Sequence, residues 1–228
     1  MKRLALVALL ALGGCRSARD RPSPAVVVES GLDQPARTPA TPMSYLGADW
    51  LERPDREETE QPERVLDALD LHPGDVVADV GAGTGYFSLR IARRVSPGGR
   101  VLATDIQPGM IALLEANVKA AQRDDVVPIL ATEDDARLPD DAVDLVLMVD
   151  VYHELSRPFV ILRQVKKALR AKGRLVLVEY RGEDPDVPIK EEHKMTLAAV
   201  RSEVEPCGFT FVESLEFLPQ QHVIVFRR

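Results

Sequence analysis

Residues 76–86, Val-Val-Ala-Asp-Val-Gly-Ala-Gly-Thr-Gly-Tyr, restrict the fold of this chain more than any other stretch. Val76, Val77, Ala78 and Val80 form a short apolar, β-branched run, the pattern of a strand covered on both faces. Gly81, Gly83 and Gly85 then alternate, at positions where side chains would block a close approach of backbone to a ligand. Helical apolar spacing follows over 87–95 through Phe87, Leu89, Ile91, Ala92 and Val95, so the glycine turn opens a helix. The free N–H groups and positive dipole end of such a helix suit an anionic group. A dinucleotide-binding turn, G-x-G-x-x-G, would place its last glycine at position 86, where Tyr86 stands.

A second acidic residue follows: residues 101–105, Val-Leu-Ala-Thr-Asp, read as the next strand and end in Asp105. A carboxylate there can accept both hydroxyls of a ribose. The pattern Asp79-x-Gly81-x-Gly83-x-Gly85, with Asp105 one strand later, resembles the cofactor-binding signature of class I S-adenosylmethionine-dependent methyltransferases. The resemblance spans roughly residues 65–226 and includes the run Leu-Arg-x-x-Gly-Arg-Leu-Val-Leu-Val-Glu over 169–179. It implies S-adenosyl-L-methionine as cofactor, with Asp79, Gly81, Ala82, Gly83, Gly85, Tyr86, Asp105 and Ile106 around it. In that family an Asp four residues before a Leu-Pro pair contacts the adenine amino group. Asp134 has that offset from Leu138-Pro139, and Asp135 is its neighbour. A solvated acidic turn is the plainer reading of this loop.

The remaining periodicity predicts helices over 57–71 and 108–121, the second with Met110, Ile111, Leu113, Leu114 and Val118 facing inward. Strands are expected over 126–130, 143–149 and 174–180, with an intervening helix that starts at Ser156-Arg157-Pro158 and is closed by Lys172-Gly173. A polar excursion over 183–194, a helix over 197–205 capped by Thr196, and strands over 209–217 and 222–226 complete the chain. These elements amount to an α/β three-layer sandwich: a Rossmann-like, seven-stranded, mostly parallel sheet with one antiparallel strand in a C-terminal hairpin.

Ligands of open α/β sheets lie beyond the carboxyl ends of the strands. There the strand over 143–149 runs into Asp150-Val-Tyr-His-Glu154. Asp150 joins the cofactor group, and Tyr152, His153 and Glu154 are the candidates for the acceptor side. His153 is a natural general base near neutral pH, Glu154 can orient it or bind an amine, and Tyr152 can stack or hydrogen-bond. The same residues after a strand also serve to cap the next helix. No metal-ligand set is read: H-E-x-x-H would need histidine at 157, where Arg157 stands. His193 and Lys194 can border the acceptor pocket from the excursion. The expected activity is methyl transfer to a small-molecule acceptor; the competing reading is a non-catalytic envelope lipoprotein that keeps the fold as a binding module.

Composition bears on partners and compartment. The net charge of −7 over 228 residues leaves no basic footprint for nucleic acid. Two cysteines, Cys15 and Cys207, exclude a disulfide framework. Lys2 and Arg3, an apolar run over 4–12, and Gly13-Gly14-Cys15 resemble a bacterial lipoprotein signal, with Cys15 lipidated. The expected organisation is a signal peptide over 1–15, a Pro-rich flexible tether over 16–44, and the catalytic domain over 45–228, held at the cell envelope, at the outer membrane or the periplasmic face. A start at Met43 would instead give a cytoplasmic protein. The sequence is silent on oligomeric state.

Overall fold

The computed structural model describes residues 35–228, so the signal segment, Cys15 and most of the tether lie outside the described residues. The core is a sheet in the order β3-β2-β1-β4-β5-β8-β7. Its strands are β1 (Val76–Val80), β2 (Arg100–Asp105), β3 (Val126–Leu130), β4 (Val143–Val149), β5 (Leu169–Arg181), β7 (Thr210–Leu215) and β8 (Gln221–Arg227). An additional two-residue strand, β6 (Lys194–Met195), pairs with the end of β5 and makes the eighth. Strand β8 runs antiparallel to both β5 and β7 and is the one antiparallel strand expected of the hairpin.

Alternation along the central strands explains the three layers. Val77, Leu145, Leu147, Val176, Val178, Val223 and Val225 face one core. Ala78, Val146, Met148, Leu175, Leu177, Ile224 and Phe226 face the other. After the short α1 (Arg56–Thr59), the first core is covered by α2 (Pro62–Ala68), α3 (Tyr86–Val95) and α4 (Pro108–Ala120), with Leu66, Ile91 and Leu114 buried in it. The second is closed by α5 (Pro158–Ala168) and α6 (Leu197–Val204). With period-2 side chains, both faces of each central strand must be apolar, which is why these runs read as nearly continuous.

Several boundaries differ from the sequence expectation. The helix expected over 57–71 is split into α1 and α2, because Gln61 takes φ 48° and Pro62 restarts the helix at its first position. Leu113 is 38 % exposed rather than inward; the buried side of α4 is Met110, Ile111 and Leu114. Helix α5 stops at Ala168 instead of at Lys172-Gly173. There Ala142 N–H takes the Ala168 carbonyl at 2.9 Å and Leu169 pairs with Val143, so β4 draws the chain into a longer β5. The packed domain also begins before residue 45. Ala40 is buried and its N–H donates to the His153 carbonyl at 3.1 Å, while Arg37 donates to the carbonyls of His153 and Tyr152 at 2.6 and 2.9 Å. No helix among the described residues is long and apolar enough to cross a membrane.

Strand order reverses between β1 and β4, which are neighbours although β2 and β3 lie between them in sequence. Open sheets leave a crevice at such a switch point.

Candidate active site

A cavity of about 800 Å³ opens at that crevice, a size common for small-molecule sites. Its first wall is backbone. Gly81 and Gly83 take φ of +76° and +56°, conformations that L side chains rarely adopt. A Cβ on Gly81 would collide with Val151, and one on Gly83 would lie 2.7 Å from Leu51 Cδ1. The turn is held by Gly81 and Ala82 N–H groups donating to the Thr104 carbonyl at 2.8 and 2.9 Å. Beside it Asp105, at the end of β2, accepts from Gly83 N–H at 3.1 Å and from Gln107 N–H at 2.9 Å. Burial pushes the Asp105 carboxyl above its ordinary value, opposed by those amides. A carboxylate offers about four acceptor sites, and with the Ile106 N–H also on it acceptor capacity still remains for a ligand's hydroxyl. Ile106 and Met110 add apolar surface to this wall.

The second wall is built from side chains. His153 is 2 % exposed. Its Nδ1 lies 2.6 Å from Glu179 Oε2, and its Nε2 lies 3.1 Å from His193 Nδ1. Burial pulls the His153 pKa down, but the charge and hydrogen bond of Glu179, with Asp150 and Glu154 nearby, raise it above the ordinary value. Burial lifts Glu154 to about 7, opposed by His153 and assisted by Glu179. His193 is lowered by burial and by the neighbouring His153. Asp150 sits at φ 53° with both carboxyl oxygens facing Gln221 Nε2, at 2.9 and 2.8 Å. Burial, then the charges of Glu60 and Glu179, push its carboxyl well up.

Of the residues expected around the site, Gly81, Gly83, Asp105, Ile106, Asp150, His153, Glu154 and His193 line the cavity. Others stand behind or beside it. Asp79 lies under the glycine turn, accepting from Ser88 Oγ at 2.6 Å; burial, opposed by Ser88, raises it to about 6. Ala82, Gly85 and Tyr86 shape the turn and the first turn of α3, and Tyr86 donates to Glu57 at 2.7 Å. Asp134 accepts from Thr132 and Arg157, and Asp135 from the Arg137 N–H, so Glu133 is the acidic side chain of this loop on the cavity wall. Tyr152 points into the opposite core, where its hydroxyl donates to Glu203 Oε2 at 2.9 Å. The cause is the 3-10 turn Tyr152–Glu154: successive side chains fan out around a tight helix, so Tyr152 cannot share the face of its neighbours. Lys194 turns back to Glu191 at 2.8 Å.

Sequence reasoning missed a buried polar group on the cavity wall. Arg53 pairs with Glu60, Arg56 Nε donates to Glu60 Oε2 at 2.7 Å, and Tyr180 donates to Glu60 Oε1 at 3.2 Å. These charges resemble a solvated helix face in the sequence, and only the Pro62 break hints at another use. Glu179 had a clearer signal: it is a carboxylate that ends an apolar strand, and it is fully buried.

Residues 78–175 match the family model described as a methyltransferase domain. A solved S-adenosylmethionine-dependent methyltransferase of Aquifex aeolicus superposes with a TM-score of 0.77 at 25 % identity, covering 82 % of this chain and 99 % of that one. The protein-L-isoaspartate O-methyltransferase of Aeropyrum pernix is 38 % identical over 35 % of this chain and 30 % of its own length. The demethylmenaquinone methyltransferase of Symbiobacterium thermophilum is 31 % identical over 48 % of this chain and 44 % of its own. The chain thus spans less than half the length of these curated relatives. Over residues 78–175 the chain is similar to a methyltransferase domain, and its Rossmann-like fold is shared with solved proteins named for S-adenosylmethionine.

Proposed function

We propose that this chain is an S-adenosylmethionine-dependent methyltransferase with a small-molecule acceptor. The observation that carries the reading is the shared cavity: the Gly81–Gly83 cradle and Asp105 open onto the same space as His153 and Glu154. The residues present fit the cofactor. Asp105 has free lone pairs for a ribose diol, Ile106 and Met110 offer apolar faces to a base, and the glycine cradle admits backbone contact. Arg53, Arg56, Glu60 and Asp150 line the same cavity as the polar groups nearest to hand for an amino-acid terminus. When bound, the cofactor supplies a methyl group activated on a positively charged sulfonium.

The chain's own contribution is to orient and to exclude water. Holding two reactants in line supplies up to about 7–11 kcal/mol of the barrier. Residues 39–43 and Leu51 cover the cavity from the N-terminal side. Glu179 fixes His153 through Nδ1 and turns Nε2 toward His193 Nδ1 at 3.1 Å, so without a bound ion a proton taken from the acceptor enters this imidazole pair. The demethylmenaquinone methyltransferase among the relatives supports a small-molecule acceptor.

Titration calorimetry of S-adenosylmethionine and S-adenosylhomocysteine into the full chain tests this. Saturable binding is expected, weakened about 100-fold or more in Asp105→Ala, because hydrogen bonds to a charged acceptor contribute roughly 1.5–3 kcal/mol each. No binding by folded protein would return the chain to a non-catalytic envelope module. We place the protein at the cell envelope through a lipid on Cys15, supported by the basic, apolar and Gly-Gly-Cys order of residues 2–15. A palmitate analogue should label wild type and not Cys15→Ala; equal labelling of both would remove the anchor.

A further inference from the structure

His153, Glu154 and His193 do more than line the acceptor wall: each directs one ligand atom into a shared space, and these atoms lie within 4.8 Å of one another. His153 and Glu154 follow β4, whereas His193 ends the 3-10 helix Glu191–His193 in the excursion after β5. The two imidazoles meet edge to face, with centroids 5.1 Å apart and planes at 88°. In that arrangement His153 Nε2 and His193 Nδ1 are the ring atoms that meet, 3.1 Å apart and within hydrogen-bond distance when no ion is bound.

We infer that these three side chains form a binding site for one divalent transition-metal ion, whose open positions receive an oxygen-bearing acceptor. Two imidazole nitrogens bound at about 2.0–2.1 Å and 90–110° stand roughly 2.9–3.4 Å apart. The observed His153 Nε2 to His193 Nδ1 distance is 3.1 Å. At those angles every pair of ligand atoms stands roughly 2.9–3.4 Å apart, so a set spread over as much as 4.8 Å contracts by up to about 1.4 Å when an ion binds. Glu154 and His193 are partly buried, and Glu154 gives up a hydrogen bond from the Met43 backbone to make that adjustment.

The surroundings of His153 fit a ligand. Glu179 Oε2 accepts its Nδ1–H at 2.6 Å, while Glu179 Oε1 is held by the Tyr152 N–H at 2.9 Å. A buried carboxylate behind a histidine fixes the tautomer that turns Nε2 outward and makes it a stronger donor to a metal. Two imidazoles and one carboxylate select Zn, Mn, Fe or Co over Mg or Ca. Three protein ligands leave positions open to the cavity, the arrangement of sites that bind substrate rather than of closed structural sites. An acceptor hydroxyl or carboxylate oxygen would ligate there, and His153 would act as a ligand rather than as a free base. The acceptor assignment rests on the methyltransferase reading; the metal site does not.

The test is titration of chelator-treated full chain with Co²⁺, followed by its visible ligand-field absorption, and with Zn²⁺ by calorimetry. One ion per chain is expected. His193→Ala and Glu154→Gln should each weaken binding by more than tenfold and shift the Co²⁺ spectrum, and Glu179→Gln should weaken it 10–100-fold. His193→Ala alters a half-exposed side chain and keeps the test usable if Glu179→Gln does not fold. No stoichiometric ion, or an affinity and spectrum unchanged in His193→Ala and Glu154→Gln, would overturn the site. Calorimetry with S-adenosylmethionine on the same samples separates the two readings: cofactor binding without metal binding overturns the site alone. Metal binding without cofactor binding leaves the site and overturns the transferase.

Discussion

The two walls of the cavity are made of different material. The β1–β2 wall is mainly backbone: glycines at positive φ and amides that fix Asp105, with the Ile106 and Met110 side chains beside them. The β4–β5 wall is a relay of side chains, Glu179 to His153 to His193, whose partners come from three separated segments. A backbone wall recognises what is common to a ligand class, because main-chain groups vary little. A side-chain wall can be rewritten residue by residue, and in the proposed reading it is the wall that faces the acceptor.

The contrast is broken most forcefully at Gly81. In Gly81→Ala the positive φ costs roughly 1–3 kcal/mol, and crowding against Val151 adds about 1–3 kcal/mol. Urea unfolding should show most of that loss, and Val151→Ala should recover the crowding part but not the backbone part. Full recovery would mean that the turn is less constrained than its dihedral angles indicate.

Asp79, beneath the same turn, gives the next largest effect, and its sign is opposite to the usual carboxylate. Its folded-state pKa of about 6 exceeds the ordinary 3.8. The protonated form therefore favours folding: its contribution is fullest below pH 3.8 and is lost as pH rises through 6. Asp79→Asn should remove this pH dependence and be more stable at pH 7 by about 2–3 kcal/mol. Unfolding curves at pH 5 and pH 7 that are parallel for wild type and variant would contradict this.

On the other wall, Arg37→Ala removes hydrogen bonds to the carbonyls of Tyr152 and His153. A loss of about 1–2 kcal/mol is expected for this partly exposed cation. Because the bonds anchor the backbone of His153, the Co²⁺ spectrum should shift as well. The smallest effect belongs to Tyr152→Phe. Losing the hydrogen bond to Glu203 should cost about 1 kcal/mol and leave cofactor and metal affinity at wild-type values. A drop in either affinity at unchanged stability would return Tyr152 to the acceptor side.

The β1–β2 wall was legible because its residues are close together in sequence. Gly81 to Asp105 is a continuous strand-turn-helix-strand, and the alternating glycines announce a backbone approach before any tertiary contact is known. The acidic loop misleads for a local reason. Its offset points to Asp134, yet the hydrogen bonds of Asp134 and Asp135 within and beside the loop leave Glu133 at the cavity. Tyr152 misleads because adjacency in sequence is not a shared direction on a 3-10 turn.

By itself the sequence determined the alternation of strands and helices, the two-faced apolar strands and the glycine cradle, since these follow from side-chain periodicity and local backbone sterics. Only the tertiary structure decided that His193 meets His153 across forty positions, that Glu60 joins two arginines inside the cavity, and that residues 37–43 belong to the packed domain. Those contacts depend on where separate loops end above the sheet, and no local pattern of residues encodes that distance.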